Sequence, residues 1–143
     1  MPEDEKLLIL IKKAELKIEK IAHQLLASSD LTSTQLKILI ILFTNPEKSY
    51  RQIDLEAHFS LTNPTVTGIL NNMEKKGLIE RIKNPQDSRS KVIVPTEAAC
   101  RRKAEWIALY EALEQTLTRN LTPADREALS ALLKKLLAEG PEP

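Results

Sequence analysis

The residues best suited to chemistry fall in two clusters. Asn63, Thr65, Thr67, Gly68, Asn71, Asn72, Lys75 and Lys76 form the first, and Asp87, Ser88, Arg89 and Lys91 follow closely. Amides and hydroxyls with no nucleophile or base beside them recognise rather than react. Asparagine can bond bidentately to an adenine edge, and threonine brings both a hydroxyl and a methyl group to a major groove. Lys75 and Lys76, with Arg51 and Gln52 upstream, suit phosphate oxygens, contacts that are salt-sensitive and blind to base sequence. The chain carries a net charge of only +1, yet from position 63 to 91 six basic side chains stand against three acidic ones. The positive charge is local, and it coincides with the polar cluster.

Other chemistries find no footing. There is no glycine-rich phosphate loop, no nucleophile elbow, no paired His and Cys, and no set of carboxylates on one helix face, so the sequence predicts no enzyme. The single cysteine, Cys100, excludes an intrachain disulfide framework and reads as a small buried hydrophobe. His23 and His58 fall on different helices without ligand-spaced neighbours, so no metal and no cofactor are expected. No apolar run reaches the roughly 18 residues of a membrane span, and the opening MPEDEK is acidic where a signal peptide is basic. The expectation is a cytoplasmic protein with no membrane partner. At 143 residues and 42% hydrophobic content it has enough chain for one compact domain with a core.

The elements that must position the polar clusters are legible from periodicity and caps. Leu7, Ile11, Ala14, Ile18, Ile21 and Leu25 recur at steps of four and three, the seam of a helix packed on another helix. Leu8, Ile9, Leu10 and Leu26 widen that stripe, which calls for either a partner subunit or more intrachain core. Thr32 and Gln35 have capping-box spacing and open a second helix that Asn45-Pro46 ends. Ser49 and Gln52 repeat the spacing and predict a third helix over Tyr50 to Phe59. Asn63 as cap with Pro64 at the first helical position opens a fourth, over Pro64 to Lys76. Its apolar residues Val66, Ile69, Leu70 and Met73 turn inward, which turns the polar cluster outward. Gly77 suits the left-handed end of that helix. Gly68 weakens it by about 1 kcal/mol relative to alanine, so close approach of DNA or of a neighbouring helix is implied.

Leu78 to Lys83 and Lys91 to Val94 read as two strands joined by the turn-rich Asn84-Pro85-Gln86-Asp87-Ser88. Thr96 then caps a long helix through Asn120, and Thr122-Pro123 starts a last one that closes near Gly140. The fold class is therefore mostly α with a small β-hairpin wing, an α+β winged helix of six helices. Two short helices joined by a tight turn, the second followed by a hairpin, make the winged form of a helix-turn-helix. Arg89 at the wing tip is placed to enter a minor groove with Asp87 holding it, or the two form an ordinary surface pair.

In sequence order, Leu31-Thr32-Ser33-Thr34-Gln35, Leu61 to Leu70, Glu74 to Arg81 and Asp87-Ser88-Arg89-Ser90 resemble the "LTxxQ", recognition-helix, "EKKGLIxR" and "DxRS" motifs of the MarR family of bacterial regulators. The resemblance covers nearly the whole chain. It implies a sequence-specific, DNA-binding transcriptional regulator acting on double-stranded DNA as a homodimer with interlocked N- and C-terminal helices. Residues 1–30 and 97–143 would form the dimerisation region and 31–96 the DNA-binding domain, with recognition helix at 64–76 and wing at 78–95. It further implies a wing role for Asp87 and Arg89, a pseudo-palindromic operator, and repression relieved by a small-molecule effector bound between the arms and the wing domain. The alternative is a winged helix that binds protein or RNA without operator recognition. One departure stands out: Pro95-Thr96-Glu97-Ala98-Ala99 replaces the family's "LTxxG", which predicts a stiffer wing exit.

Overall fold

A computed structural model describes residues 6–140, so the acidic opening at 1–5 and the last three residues lie outside it. Seven helices and one hairpin follow in the order α1 (Leu7–Leu25), α2 (Ser33–Thr44), α3 (Gln52–Phe59), α4 (Asn63–Lys75), β1 (Ile79–Asn84), β2 (Asp87–Pro95), α5 (Glu97–Arg101), α6 (Lys103–Leu117) and α7 (Pro123–Leu137). The mostly helical class with a hairpin wing is as the sequence predicts. The seventh helix arises because the expected long helix breaks at Arg102, where φ −102° and ψ 8° leave the helical well and the amide bonds back three residues to Ala99. No glycine or proline marks that break.

The caps explain most boundaries. Thr32 Oγ1 accepts the Gln35 amide at 3.2 Å and Gln35 Oε1 accepts the Thr32 amide at 3.1 Å, the reciprocal pair that satisfies two orphan donors of α2. Thr122 and Asp125 do the same for α7. Helix α3 starts two residues later than expected. Its cap is Arg51, whose amide donates to Asp54 Oδ2 at 2.8 Å, so Ser49 and Gln52 do not form the box. In α4 the cap moves back one residue to Thr62, and Asn63 and Pro64 become the first two helical residues.

The C-terminal ends of α3 and α4 share one geometry. Gly77, with φ +74°, donates to Glu74 while Leu78 donates to Met73. Ser60 donates to Ala57 while Leu61 donates to Glu56, and Ser60 is itself left-handed at φ 53°. These six-to-one and five-to-two bonds close off the last carbonyls of each helix. The second of them makes the turn between α3 and α4.

One continuous core joins these elements. The apolar α2 lies at its centre with Leu36, Ile38, Leu39, Leu42 and Phe43 buried; α6 packs on both α1 and α2, and α3 packs on α4. Phe43 stacks on the buried Trp106 at 6.3 Å between ring centroids, which places both rings in the core. Strands β1 and β2 pair antiparallel from Ile79 with Pro95 to Asn84 with Asp87, and the register slips between Lys83 and Asn84. Four-residue spacing on β2 there opposes adjacent residues on β1, so Ser88, Arg89 and Ser90 bulge from the ladder. β2 is thus longer than expected, beginning at Asp87. A single bridge from Tyr50, whose carbonyl accepts the Ile93 amide at 2.7 Å, ties the wing to the loop before α3. Pro95, lacking an amide hydrogen, sits at the end of the ladder, where none is required.

Two surfaces depart from monomer economy. Leu7, Leu8, Ile9, Leu10, Ile11 and Leu16 of α1 are exposed, and α7 exposes Leu129, Leu132, Leu133, Leu136 and Leu137 and buries no residue. The intrachain-core reading of the first helix therefore holds only for its second half, around Ile21 and Ala22. Cys100 is exposed, not buried as expected, because Ala99 is the residue of α5 that faces the core.

Candidate nucleic-acid interface

Helix α4 is amphipathic in the sense that orients a polar face outward. Val66, Leu70 and Met73 are each at most 1% exposed, anchoring one side to the core. The opposite stripe of Pro64, Gly68, Asn71 and Lys75 is exposed, with Thr65 and Asn72 beside it. A Cβ built on Gly68 would meet nothing within 4 Å. No neighbouring helix of the protomer requires that glycine; it leaves the backbone open to approach from outside.

Hydrogen bonds fix most of the polar side chains around this face. Gln35, only 3% exposed, donates from Nε2 to Asn72 Oδ1 at 2.9 Å, while its Oε1 accepts from Lys76 Nζ at 3.1 Å; Lys76 Nζ also donates to the Asp30 carbonyl. Arg81 Nη2, reaching from β1, donates to Asn71 Oδ1 at 2.8 Å. On the other flank Asn63 Nδ2 donates to Glu56 Oε2 at 2.9 Å, and Gln52 Nε2 donates to Thr67 Oγ1 at 2.8 Å. The helix is thus pinned to α2, α3 and the wing.

The wing supplies exposed cations. Arg89 is 91% exposed; both its amide and its Nε donate to Asp87 Oδ1, at 3.1 and 3.3 Å. This closes a local turn that holds the arginine's root while leaving its guanidinium in solvent. Ser88 and Lys91 are exposed next to it. Arg51 lies across a groove of about 510 Å³ bounded by α3, α4 and the wing. Hydrogen bonding from the Arg51 guanidinium draws the Asp54 carboxyl below its ordinary range, and the pairing raises Arg51 in turn. Every ion pair here is at least a quarter exposed on one side, so the pairs order side chains more than they stabilise the fold.

Of the residues singled out in the sequence, Asn63, Thr65, Gly68, Asn71, Asn72 and Lys75 share the exposed side of α4, and Arg51, Ser88, Arg89 and Lys91 flank it. Gln52 and Thr67 bond to each other between α3 and α4, and Lys76 is turned back to the start of α2. The sequence reading did not single out Gln35 and Arg81. From sequence Gln35 reads as a capping residue; among the described residues it is the one buried polar side chain. Arg81 counted only as charge. His23 and His58 are both exposed, on separate helices.

Comparison with known proteins bears directly on this arrangement. The family model described as "MarR family" matches residues 31–91, the stretch from the α2 cap through the bulge of the wing. The multiple antibiotic resistance protein MarR of Salmonella typhimurium is 30% identical over 134 residues, spanning 90% of this chain and 88% of that protein. The chain belongs to the MarR family. The protein of the same name from Escherichia coli is 28% identical over 131 residues, covering 90% of this chain and 88% of its own length. The crystal structure of the Staphylococcus aureus MepR–DNA complex superposes with a TM-score of 0.81 at 27% identity, over 95% of this chain and 97% of MepR. As a MarR-family protein the chain is a transcriptional regulator and not an enzyme. No described helix is long and apolar enough to cross a membrane.

Proposed function

We propose that this MarR-family chain is a homodimeric, cytoplasmic repressor that binds a pseudo-palindromic operator in duplex DNA. Residues 31–96 are the reading domain, and residues 1–30 and 97–143 are the arms that join two copies. The observation that carries this reading is the exposed stripe of α4, polar and open at Gly68, flanked by the solvent-exposed guanidinium of Arg89 on the wing. Helix α4, at 13 residues, is long enough to lie in a major groove, and the wing is tied to it through the Arg81–Asn71 hydrogen bond. The family kinship and the S. aureus MepR–DNA complex support the same mode of binding.

The exposed leucines of α1 and α7 support the arms, since a second copy is the surface that a two-fold dimer offers to both at once. For relief of repression, a cleft of about 540 Å³ lies where arm meets reading domain, lined by Ala22, His23, Leu26, Leu31 and Ser33 among others. The Ser33 hydroxyl there is buried without a hydrogen-bond partner, a donor that a small effector would satisfy.

Titration of the purified protein by fluorescence anisotropy, against its own upstream intergenic duplex and a scrambled one at two salt concentrations, tests the proposal. Preference for the upstream duplex that survives the higher salt supports it. Equal or absent binding transfers the winged helix to a protein or RNA partner. In the same assay Arg89→Ala weakens duplex binding without lowering the melting temperature, because its side chain is exposed and its pairing with Asp87 is a surface one.

A further inference from the structure

The hydrogen bonds around α4 decide which atoms its asparagines can offer. An amide side chain has one acceptor end and one donor end, and which of them faces outward is settled by what holds the other. Gln35 Oε1 accepts from the Thr32 backbone amide and from the Lys76 ammonium, neither of which can accept in return. The oxygen of Gln35 is therefore committed, and its nitrogen must point to Asn72. Asn72 in turn must accept through Oδ1, and its planar amide leaves the Nδ2 hydrogens on the far side. Arg81 has only donors, so Asn71 likewise accepts through Oδ1 and frees Nδ2. Asn63 is held in the opposite sense: Glu56 can only accept, so it takes the Asn63 nitrogen and leaves Oδ1 outward.

We infer that Gln35 and Arg81 are positioning residues for base specificity, fixing Asn72 and Asn71 as hydrogen-bond donors toward the operator. This rests on the reading of α4 as a DNA-recognition helix. Bidentate reading of adenine needs an outward oxygen as well as an outward nitrogen, to accept from N6 and donate to N7. With both oxygens turned inward, that mode is closed to Asn71 and Asn72. They match edges made of acceptors, the O6 and N7 of guanine or the O4 of thymine. Asn63, its oxygen outward, matches the N4 amino group of cytosine or the N6 amino group of adenine. On this inference Asn71 and Asn72 act as donors rather than as bidentate readers of adenine.

Selection from a random duplex library with the full-length chain tests the inference. Wild type, Asn72→Ala, Asn72→Asp and Gln35→Glu are each used, and adenine in the selected duplex is then replaced by 2-aminopurine, which removes the N6 amino group from the major groove. At the position that Asn72→Ala relaxes, wild type prefers guanine or thymine by about tenfold, the worth of one well-made hydrogen bond. Gln35→Glu supplies only acceptors, so Asn72 turns over, and preference at that position moves to cytosine or adenine. Asn72→Asp moves it the same way and leaves the buried Gln35 untouched, which keeps the test valid if Gln35→Glu fails to fold. The 2-aminopurine replacement costs wild type and Asn72→Ala equally. A position relaxed by Asn72→Ala at which wild type prefers adenine and loses that preference with 2-aminopurine overturns the inference. So does an unchanged preference in both Gln35→Glu and Asn72→Asp. If wild type enriches no duplex at all, the operator reading itself falls, an outcome distinct from enrichment with the wrong polarity.

Discussion

Removing two leucines from α7 separates the roles of arm and core. Leu132 and Leu136 are 61% and 55% exposed in the protomer, one helical turn apart on a helix that buries no residue. Full burial of a leucine is worth about 1.5–3 kcal/mol, so at roughly 60% exposure each has about 1–2 kcal/mol still to gain from a partner. A two-fold dimer meets each substitution twice, and alanine keeps the Cβ. Leu132→Ala with Leu136→Ala therefore costs dimerisation about 3–5 kcal/mol, a rise of two to nearly four powers of ten in the dissociation constant. The protomer itself should not suffer, because alanine is the better helix former at an exposed position. Sedimentation over a concentration series reads the dissociation constant, and far-ultraviolet circular dichroism reads the helix. A dimer as tight as wild type, with helix content preserved, refutes the assignment of α7 to the interface. Loss of helix in step with loss of dimer refutes the independence of the protomer.

Further outcomes follow from single sites. Ser60→Gly removes the left-handed strain at φ 53° in the turn between α3 and α4; the relief of about 1–3 kcal/mol, less glycine's entropy cost of about 0.5–1 kcal/mol, raises the melting temperature by a few degrees in a thermal scan. Leu70→Ala, at a side chain with no exposed surface, destabilises by about 3–5 kcal/mol in urea unfolding and lowers the fraction folded before it alters duplex recognition. Asp54 has its pKa lowered by Arg51, so its contribution is present above the unfolded carboxylate value of about 3.9 and is lost as pH falls through and below it. Asp54→Asn accordingly flattens the fall in melting temperature between pH about 5 and 3, and an equally steep fall in the variant counts against the cap pairing.

Most helix boundaries are legible in residue order. Thr32 with Gln35 announces the start of α2, Thr122 with Pro123 that of α7, and Gly77 the end of α4, because caps and left-handed ends are solved by side chains within four residues. Other local features depart from the usual spacing. The Arg51–Asp54 pair caps α3 where Ser49 and Gln52 have the usual spacing, since an acidic third residue can reach back to any exposed amide. The break at Arg102 carries no breaker residue, and the exposure of Cys100 turns on which face of a five-residue helix meets the core.

What the sequence determined by itself is therefore most of the elements, their polarity, and the family whose motifs they carry, all consequences of contacts within a turn or two of chain, with the break at Arg102 the exception. Tertiary structure alone decided how the recognition face is wired. Gln35 meets Asn72 across 37 positions and Lys76 across 41, and Arg81 meets Asn71 from a strand. No periodicity encodes those meetings, because they depend on how α2, α4 and the wing pack around one core. Yet they determine whether an asparagine of α4 turns an oxygen or a nitrogen outward.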